Sequence, residues 1–338
     1  MRLSNKLSYT LLLPIVLLVA SCSCCNSSKA TTKVSTSTVM SYKQTSPHFN
    51  ADSAYLFVKK QVDFGARIPN SAAHVECGNY LAMKLREFGA EVIEQKMLLK
   101  TYDGITLNAR NIIGVYNRDV EKRVLLFAHW DSRPFADQDK DKTKQTQPIL
   151  GANDGASGVG VLLEIARQLN KLPVDIGVDI LFFDAEDWGQ PSYESNYVPG
   201  EWYCLGSQYW AENTHVPNYR AKFGILLDMV GASNATFYKE GYSVDYASNV
   251  AEKVWTTAAR LGYGNYFVNR KGGYITDDHL PVNKLRRAPS INIIHTTDDT
   301  AHGFGDFWHT HNDNMDIIDK ATLEAVGQTV MEVLYTEE

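Results

Sequence analysis

Short apolar runs that alternate with helix-like segments constrain the fold of this chain more than any other feature. Val159 to Leu169 and Val250 to Leu261 have the apolar spacing of helices, whereas the apolar runs around them are too short to be helices. Strands that alternate with helices predict a three-layer α/β/α fold, with a mixed, mostly parallel central sheet and helices on both faces. The four apolar runs are Val124 to Ala128, Val178 to Phe183, Phe223 to Leu227 and Ile291 to Ile294.

Two helices and a hairpin are predicted ahead of this alternation. Ser71 is placed to cap the second helix and Gly89 to end it, and Asp103-Gly104 is a typical turn between two strands. No internal repeat or linker follows residue 48, so residues 48–338 are interpreted as one domain. The predicted elements are helices over Ala51 to Val62 and Ala72 to Phe88, and strands over Glu91 to Leu99 and Ile105 to Tyr116.

The first 47 residues have the composition of an export signal and a tether. Arg2 and Lys6 precede an apolar stretch, Leu11 to Val19, that is too short to span a bilayer. The Val-Ala-Ser-Cys sequence at 19–22 is similar to a bacterial lipobox, which predicts cleavage of residues 1–21 and lipidation of Cys22. An ordinary secretory signal is the alternative. With a lipid anchor, residues 22–47 form a flexible Ser/Thr-rich tether, and the protein is expected in the bacterial cell envelope, on the periplasmic side.

The charge balance excludes some classes of partner. The chain has 33 Lys and Arg against 39 Asp and Glu, which gives a formal net charge of -6. Past the N-terminus it carries no block of basic residues. We therefore expect no nucleic-acid partner, and no segment indicates an obligate protein partner.

The cysteines indicate what kind of metal site the domain can hold. Of the 5 cysteines, only Cys77 and Cys204 lie in the predicted domain, and they form no Cys-x-x-Cys pair. A thiolate zinc site is therefore excluded. An exported compartment permits a disulfide between the two, and their spacing leaves the pairing open.

Acidic and histidine side chains directly follow three of the predicted strands. The first run leads into His129-Trp130-Asp131, the second into Asp184 to Asp187, and the third into Asp228. Because the ligand sites of open α/β sheets lie beyond the carboxyl ends of the strands, we expect these side chains at one edge of the sheet. Two further contributions to this edge are Asp154, in the glycine-rich turn from Gly151 to Gly158, and His309.

Carboxylate and imidazole groups without cysteine are the ligand chemistry of a catalytic zinc site. Each residue alone has an ordinary structural explanation: a histidine such as His129 as a hydrogen-bonded core residue, Asp154 as a helix cap, and Glu186-Asp187 as the acidic start of a helix. Their occurrence together, each after a buried run, favours the metal site.

The order of these residues resembles the zinc aminopeptidase and glutaminyl cyclase superfamily over nearly the whole predicted domain. Within it, the segment Ile275 to Pro281 and the tryptophan directly before the last metal histidine look like the glutaminyl cyclases. Those enzymes convert N-terminal glutamine, and more slowly glutamate, to pyroglutamate with one catalytic zinc ion. The resemblance implies a glutaminyl-peptide cyclotransferase that acts on peptides or proteins with N-terminal glutamine. The matching order is His129-x-Asp131, Asp154, Glu186-Asp187, Asp228 and Trp308-His309-Thr310.

The resemblance also implies roles for individual residues. The family usually has glutamate as the second zinc ligand, where this chain has Asp187, which is one methylene shorter. Trp188 and Trp202 are both candidates for a further pocket wall. The implied zinc ligands are Asp154, Asp187 and His309, the implied catalytic residues are Glu186 as general base and acid with Asp228 and Asp277 as its acidic network, and the implied substrate-binding residues are Trp308, Phe304 and Ile275.

The chemistry of cyclisation agrees with these roles. The substrate's own α-amine attacks its γ-carboxamide, so the enzyme need not supply a nucleophile. A zinc ion can polarise the γ-carbonyl, and one carboxylate such as Glu186 can take the proton from the amine and give one to the leaving nitrogen. Trp308 is placed to hold the side chain in a curled conformation.

Two other function classes remain open from the sequence. A two-zinc aminopeptidase would use His129 and Asp228 on one metal, Asp187 and His309 on the other, and Asp154 as the bridge. A lipid-anchored peptide-binding protein that kept the fold and lost the chemistry is the second; the intact Glu186 and the three ligands argue against it.

Overall fold

Seven α-helices and eight β-strands follow one another in the part of the chain that the structure describes. The structure is a computed structural model, and it describes residues 42–286 and 288–338. The predicted signal, Cys22 and most of the predicted tether lie outside these residues. Residues Tyr42–Glu338 pack as one compact unit. The elements are α1 (Ala51–Val62), α2 (Ala72–Glu87), β1 (Glu91–Lys100), β2 (Thr106–Tyr116), β3 (Arg123–His129), α3 (Ala156–Lys171), β4 (Gly177–Phe183), α4 (Leu205–Glu212), β5 (Phe223–Asp228), β6 (Phe237–Lys239), α5 (Gly241–Leu261), β7 (Phe267–Lys271), α6 (His279–Arg286), β8 (Ser290–Ile294), a 3-10 turn (Met315–Ile317) and α7 (Lys320–Tyr335).

The six-stranded central sheet has the order β1-β2-β4-β3-β5-β8. Strands β4, β3, β5 and β8 are mutually parallel, while β1 pairs antiparallel with β2 and β2 pairs antiparallel with β4. Every residue of β3, β4, β5 and β8 is buried, as expected for strands covered on both faces. The predicted mixed, mostly parallel sheet is therefore confirmed.

Alternate residues of the inner strands face two different helix layers. In β3, Leu126 and Ala128 belong to a core shared with α1, α2, α3, α5 and α7. Leu125 and Phe127 instead pack with residues of α4 and α6, among them Trp210. This period of two divides the core between the two faces of the sheet and confirms the three-layer arrangement.

Polar caps and glycines define where helices near the sheet edge begin. The Ser71 side chain accepts a hydrogen bond from the His74 backbone N–H at the start of α2, as the sequence predicted. Helix α3 follows Gly155, which has no side-chain cap to offer. A Cβ atom at Gly155 would lie 2.5 Å from the backbone oxygen of His129, so only glycine lets this turn pack against the end of β3.

Some elements differ from the sequence prediction. The helix predicted from Val250 begins nine residues earlier, at Gly241, because the Glu240 side chain caps it by accepting from the N–H groups of Tyr242 and Ser243. Helices α4, α6 and α7 and the two-stranded sheet of β6 and β7 were not predicted. Among the described helices, none has the length and apolar character needed to cross a membrane.

Candidate metal centre

The parallel strands deliver polar side chains to one edge of the sheet. His129 is the last residue of β3, Asp228 is the last residue of β5, and Glu186 lies three residues beyond the end of β4. Asp154 lies in the turn before α3, and His309 lies on the loop between β8 and the 3-10 turn. Since β4, β3 and β5 are adjacent and parallel, their carboxyl ends bring these groups together.

Asp154, Asp187 and His309 form a compact set of metal-ligand atoms. One ligand atom from each lies within 4.8 Å of the other two. His309 Nε2 is 3.4 Å from Asp187 Oδ1 and 3.7 Å from Asp154 Oδ2. Asp187 Oδ2 is buried and has no hydrogen-bond partner in the described structure. Two carboxylates and an imidazole at this spacing fit a zinc ion, and the Asp187 carboxylate has a buried oxygen that is free to bind it.

A second set of ligand atoms shares Asp154 with the first. His129, Asp154 and Asp228 also lie within 4.8 Å of one another. His129 Nε2 is 3.0 Å from Asp154 Oδ1 and 3.3 Å from Asp228 Oδ1. The five residues of a two-metal site are thus all in place.

Arg133 and Asp137 support the first set, and sequence reasoning missed both. Arg133 Nη1 donates to Asp187 Oδ1 at 2.9 Å, and its Nε donates to Asp137 Oδ1 at 2.7 Å. Asp137 Oδ1 in turn lies 3.2 Å from His309 Nδ1. Burial would raise the pKa of Asp137, but His309 and Arg133 together hold it below its ordinary value. These contacts orient both ligands and keep Asp137 ionised. The sequence signal that could have indicated Arg133 is the polar stretch Asp131-Ser132-Arg133 close behind His129, whereas Asp137 follows three apolar residues and had no such signal.

Two further carboxylates hold the backbone turns that carry the ligands. Asp131 accepts from the N–H groups of Glu186 at 3.1 Å and Asp187 at 3.2 Å. Asp313 accepts from the N–H groups of Asn153 at 2.7 Å and Asp154 at 3.1 Å. Each turn is therefore held by a buried carboxylate that accepts hydrogen bonds from two of its backbone N–H groups. Sequence reasoning included Asp131 in its motif without a role and assigned nothing to Asp313.

Glu186 lies in a group of buried acids. Burial raises the pKa of Glu186 well above its ordinary value. The charge of His129 opposes this rise, whereas the charges of Asp187 and Asp277 add to it. Burial, with the charge of Asp228, also raises the pKa of Asp277 to about 7. Neighbouring carboxylates disfavour each other's ionised form, so burial and mutual repulsion act on Glu186 and Asp277 in the same direction.

Asp277 has a fixed orientation within this group. Its Oδ2 accepts from Asn292 Nδ2 at 2.6 Å, and its Oδ1 accepts from the Asp278 N–H at 2.6 Å. One ligand atom each from Glu186, Cys204 and Asp277 lies within 4.8 Å of the others. Asp277 is therefore held beside Glu186.

A cavity of about 390 Å³ opens over these groups, and all nine site residues expected from the sequence line it. The Trp308 ring stacks on the His309 imidazole with centroids 3.7 Å apart, and Phe304 packs on Trp308 at 4.9 Å. The aromatic rings form a wall directly beside the ligand set. The nine residues are Asp154, Glu186, Asp187, Asp228, Ile275, Asp277, Phe304, Trp308 and His309.

Neither tryptophan that the sequence offered as a further wall lines this cavity. Trp188 is buried in a separate cluster with Met97 and Leu107. Trp202 lines a neighbouring cavity of about 570 Å³. Tyr203, which sequence reasoning did not consider, lines both cavities. Cys77 and Cys204 are both buried, and they are not joined by a disulfide.

Comparisons with known proteins agree with this geometry. The profile of peptidase family M28 matches residues 111–334. A solved structure described as Bacteroides thetaiotaomicron glutaminyl cyclase bound to N-acetylhistamine is 56% identical, with a TM-score of 0.85, over 87% of this chain and 100% of that chain. A structure described as a Zn-dependent exopeptidase from Parabacteroides distasonis is 56% identical, also with a TM-score of 0.85, over 86% of this chain and 99% of that chain.

A curated relative carries a different description. An aminopeptidase of Bacillus subtilis is 28% identical over 261 residues, which is 74% of this chain. The match spans only 50% of that aminopeptidase. The similarity to the chain described as a glutaminyl cyclase is thus both higher in identity and more complete in length.

Proposed function

The chain belongs to peptidase family M28, and on that basis we propose that it is a zinc-dependent glutaminyl-peptide cyclotransferase. It would convert the N-terminal glutamine of peptides and proteins to pyroglutamate with release of ammonia, and more slowly N-terminal glutamate with release of water. The observation that carries this proposal is the stack of Trp308 on His309 beside the ligand set. An aromatic wall at that distance suits a short side chain that must curl back on its own amine.

The proposed zinc ligands are Asp154, Asp187 and His309, with one ion expected. The buried, unpartnered Asp187 Oδ2 and the absence of thiols from this set support zinc rather than a softer ion. When bound, a zinc ion would draw electrons from the γ-carbonyl and stabilise the negative charge that develops on its oxygen. Arg133 and Asp137 fix the orientation of the ligands.

Proton transfer is assigned to Glu186. As the α-amine nitrogen bonds to the γ-carbon, Glu186 accepts a proton from that amine. The bond between the γ-carbon and the amide nitrogen then breaks, and Glu186 gives the proton to the departing nitrogen, which leaves as ammonia. The charge of Asp277 favours the protonated form of Glu186, and the charge of Asp228 acts in turn on Asp277.

The pocket residues orient the substrate. Trp308 and Phe304 form one wall, and Ile275 contributes an aliphatic surface at the same cavity. The Ile275 backbone N–H donates to Glu240 Oε1 at 3.0 Å, which holds this segment against the start of α5. A rigid, largely apolar wall lowers the entropy lost when the side chain curls for attack.

A two-zinc aminopeptidase is the second candidate, favoured by one observation. His129, Asp154 and Asp228 form a ligand set of their own, so a second ion has a place to bind. In that reaction Glu186 would activate water to cleave a peptide bond.

Two measurements on purified protein separate these functions. A glutamine-headed peptide and a leucine-headed control are incubated with protein and zinc and then analysed by mass spectrometry. Loss of ammonia from the first, with the second intact, supports the cyclase; removal of whole residues from the control supports the aminopeptidase. Zinc content should be one ion per chain for the cyclase and two for the aminopeptidase.

We also propose that the protein is exported and anchored to a membrane of the bacterial envelope through lipidated Cys22. The lipobox-like sequence at 19–22 supports this assignment, and residues 48–338 would carry the activity. Inhibition of lipoprotein signal cleavage with globomycin should leave a slower-migrating precursor on a gel. An unshifted protein would contradict the anchor.

A further inference from the structure

We propose that Cys204 is a positioning residue for the general base: its thiol holds one oxygen of the Glu186 carboxylate, so that the other oxygen is directed to the substrate. The inference rests on the proposed function, because it assigns Glu186 its part in cyclisation. It adds a residue to which neither the sequence motif nor the family resemblance gives a role.

The contact between the two side chains is direct. Cys204 Sγ donates to Glu186 Oε1 at 3.2 Å. Within the described part of the chain, this thiol is the one hydrogen-bond donor to the Glu186 carboxylate. Cys204 is 1% exposed, whereas Glu186 lines the cavity. With Oε1 held from the buried side, Oε2 is the oxygen available to an incoming amine.

The backbone fixes where the thiol can be. The Cys204 N–H donates to the Glu186 carbonyl oxygen at 2.8 Å, and the Leu205 N–H donates to the Ala185 carbonyl oxygen at 3.1 Å. At Gly206, a Cβ atom would lie 2.1 Å from the backbone oxygen of Asp184. The segment 204–206 is thus seated directly on the turn that carries Glu186, so thiol and carboxylate move as one unit.

The thiol stays a donor at neutral pH. Burial raises the pKa of Cys204 well above its ordinary value, and the charges of Glu186, Asp278 and Asp277 act in the same direction. The proton therefore remains on sulfur. A thiol is a weaker hydrogen-bond donor than a hydroxyl or an ammonium group. Because it is also uncharged, it can orient the carboxylate without a formal charge beside it.

The test compares three single variants with the wild type. Cys204→Ala removes the donor, and Cys204→Ser restores one at the same position. Cys77→Ala is the matched control, because Cys77 is the other buried free cysteine and lies in α2. For each protein, kcat and KM are measured on a glutamine-headed peptide, together with the zinc content and the thermal midpoint.

A positioning role has a specific signature. Cys204→Ala should lower kcat roughly tenfold to a hundredfold with KM and zinc content unchanged, since misdirection of a catalytic group by a fraction of an ångström costs rate rather than binding. Cys204→Ser should recover most of kcat, and Cys77→Ala should match the wild type. Equal losses in Cys204→Ala and Cys204→Ser, or no loss in either, would overturn the inference.

A double-mutant cycle separates action through Glu186 from other effects. In a Glu186→Gln background, Cys204→Ala should cause no further loss of kcat, because the group it positions is gone. An additive loss there, or a fall in zinc content in Cys204→Ala, would overturn the positioning role. If wild-type protein removes N-terminal residues instead of forming pyroglutamate, the proposed function fails, and the same cycle run on that reaction decides the role of Cys204 separately.

Discussion

Arg133 Nη1 donates to Asp187 Oδ1 at 2.9 Å and to the Asp187 carbonyl oxygen at 3.2 Å. One oxygen of a proposed zinc ligand is therefore bound by a buried cation, while the other oxygen has no hydrogen-bond partner in the described structure. This contact restricts the rotation of the Asp187 side chain. The arginine therefore pre-orients the ligand.

The first prediction concerns this arginine. Arg133→Met keeps most of the volume and removes the hydrogen bonds to Asp187 and Asp137. Zinc affinity should fall about 10- to 100-fold, as is typical when a group that orients a metal ligand is lost. Competition with a chromophoric chelator measures the affinity. Arg270→Met, at an exposed ion pair with Asp298, is the control and should leave the affinity unchanged.

Loss of stability in Arg133→Met has to be separated from loss of zinc binding. The substitution leaves two buried carboxylates without their cation, a change that typically costs about 3–5 kcal/mol. Arg133→Lys keeps the charge but not the paired geometry, so it should fold better than Arg133→Met and still bind zinc more weakly than the wild type. Wild-type zinc affinity in a folded Arg133→Lys would contradict the pre-orientation argument.

The second prediction concerns the proposed general base. Glu186→Gln should keep its zinc ion and lose roughly 10²- to 10⁴-fold in kcat, since the amide cannot accept the amine proton. Glu201→Gln is the matched control, because Glu201 is an exposed glutamate on the neighbouring loop. The measurements are pyroglutamate formation by mass spectrometry and zinc content. Near-normal turnover by Glu186→Gln would remove this residue from the mechanism.

The third prediction concerns the aromatic wall. Trp308→Ala should raise KM for a glutamine-headed peptide by about tenfold or more, because the wall loses a ring whose burial and stacking are worth about 1–3 kcal/mol. Trp308→Phe keeps an aromatic face and should lose less. Trp202→Ala, in the adjacent cavity, should leave KM within about twofold of the wild type. Similar KM values for all three variants would show that the wall does not bind substrate.

The sheet could be predicted from the sequence because its strands are buried on both faces. Runs such as Val178 to Phe183 are apolar at every position except Asp179, and the structure extends that one by a single residue, to Gly177. The exposed or amphipathic helices were harder to predict. Helix α4 follows Cys204, a residue in the left-handed conformation without a side-chain cap, so no sequence signal marked its start. The start of α5 depends on Glu240, which is not among the usual capping residues.

The residues of the candidate site also differ in whether the sequence could predict them. Asp154, Asp187 and His309 could be expected because each follows a recognisable strand or motif. Arg133, Asp313 and Cys204 could not, because their importance comes from contacts between segments far apart in the chain. Asp313, for example, binds the N–H groups of residues 153 and 154, about 160 positions away. Such pairings depend on how loops cross the sheet edge, and no local pattern encodes them.

The fourth prediction concerns the pH dependence of stability. Burial would raise the pKa of Glu240, but its hydrogen bond and charge interaction with His279, with further bonds from Ser243 and Tyr242, lower the pKa from 4.5 to about 2. A carboxyl whose pKa is lower in the folded state stabilises the fold at pH values above its unfolded pKa. That stabilisation is lost as the pH falls from about 4.5 towards 2. A shift of this size corresponds to roughly 3 kcal/mol.

Glu240→Gln tests this linkage. Free energies of unfolding in urea, measured with chelator present for both proteins, should differ by roughly 3 kcal/mol at pH 7, and this difference should shrink as the pH falls from about 4.5 towards 2. The difference shrinks because the carboxyl takes up its proton near pH 4.5 in the unfolded chain but only near pH 2 in the folded protein, where it then resembles the amide. Glu121→Gln, at an exposed position, should follow the wild type throughout. A wild-type advantage over Glu240→Gln that stays constant from pH 7 to pH 3 would mean that the Glu240 and His279 pair acts by packing rather than by charge.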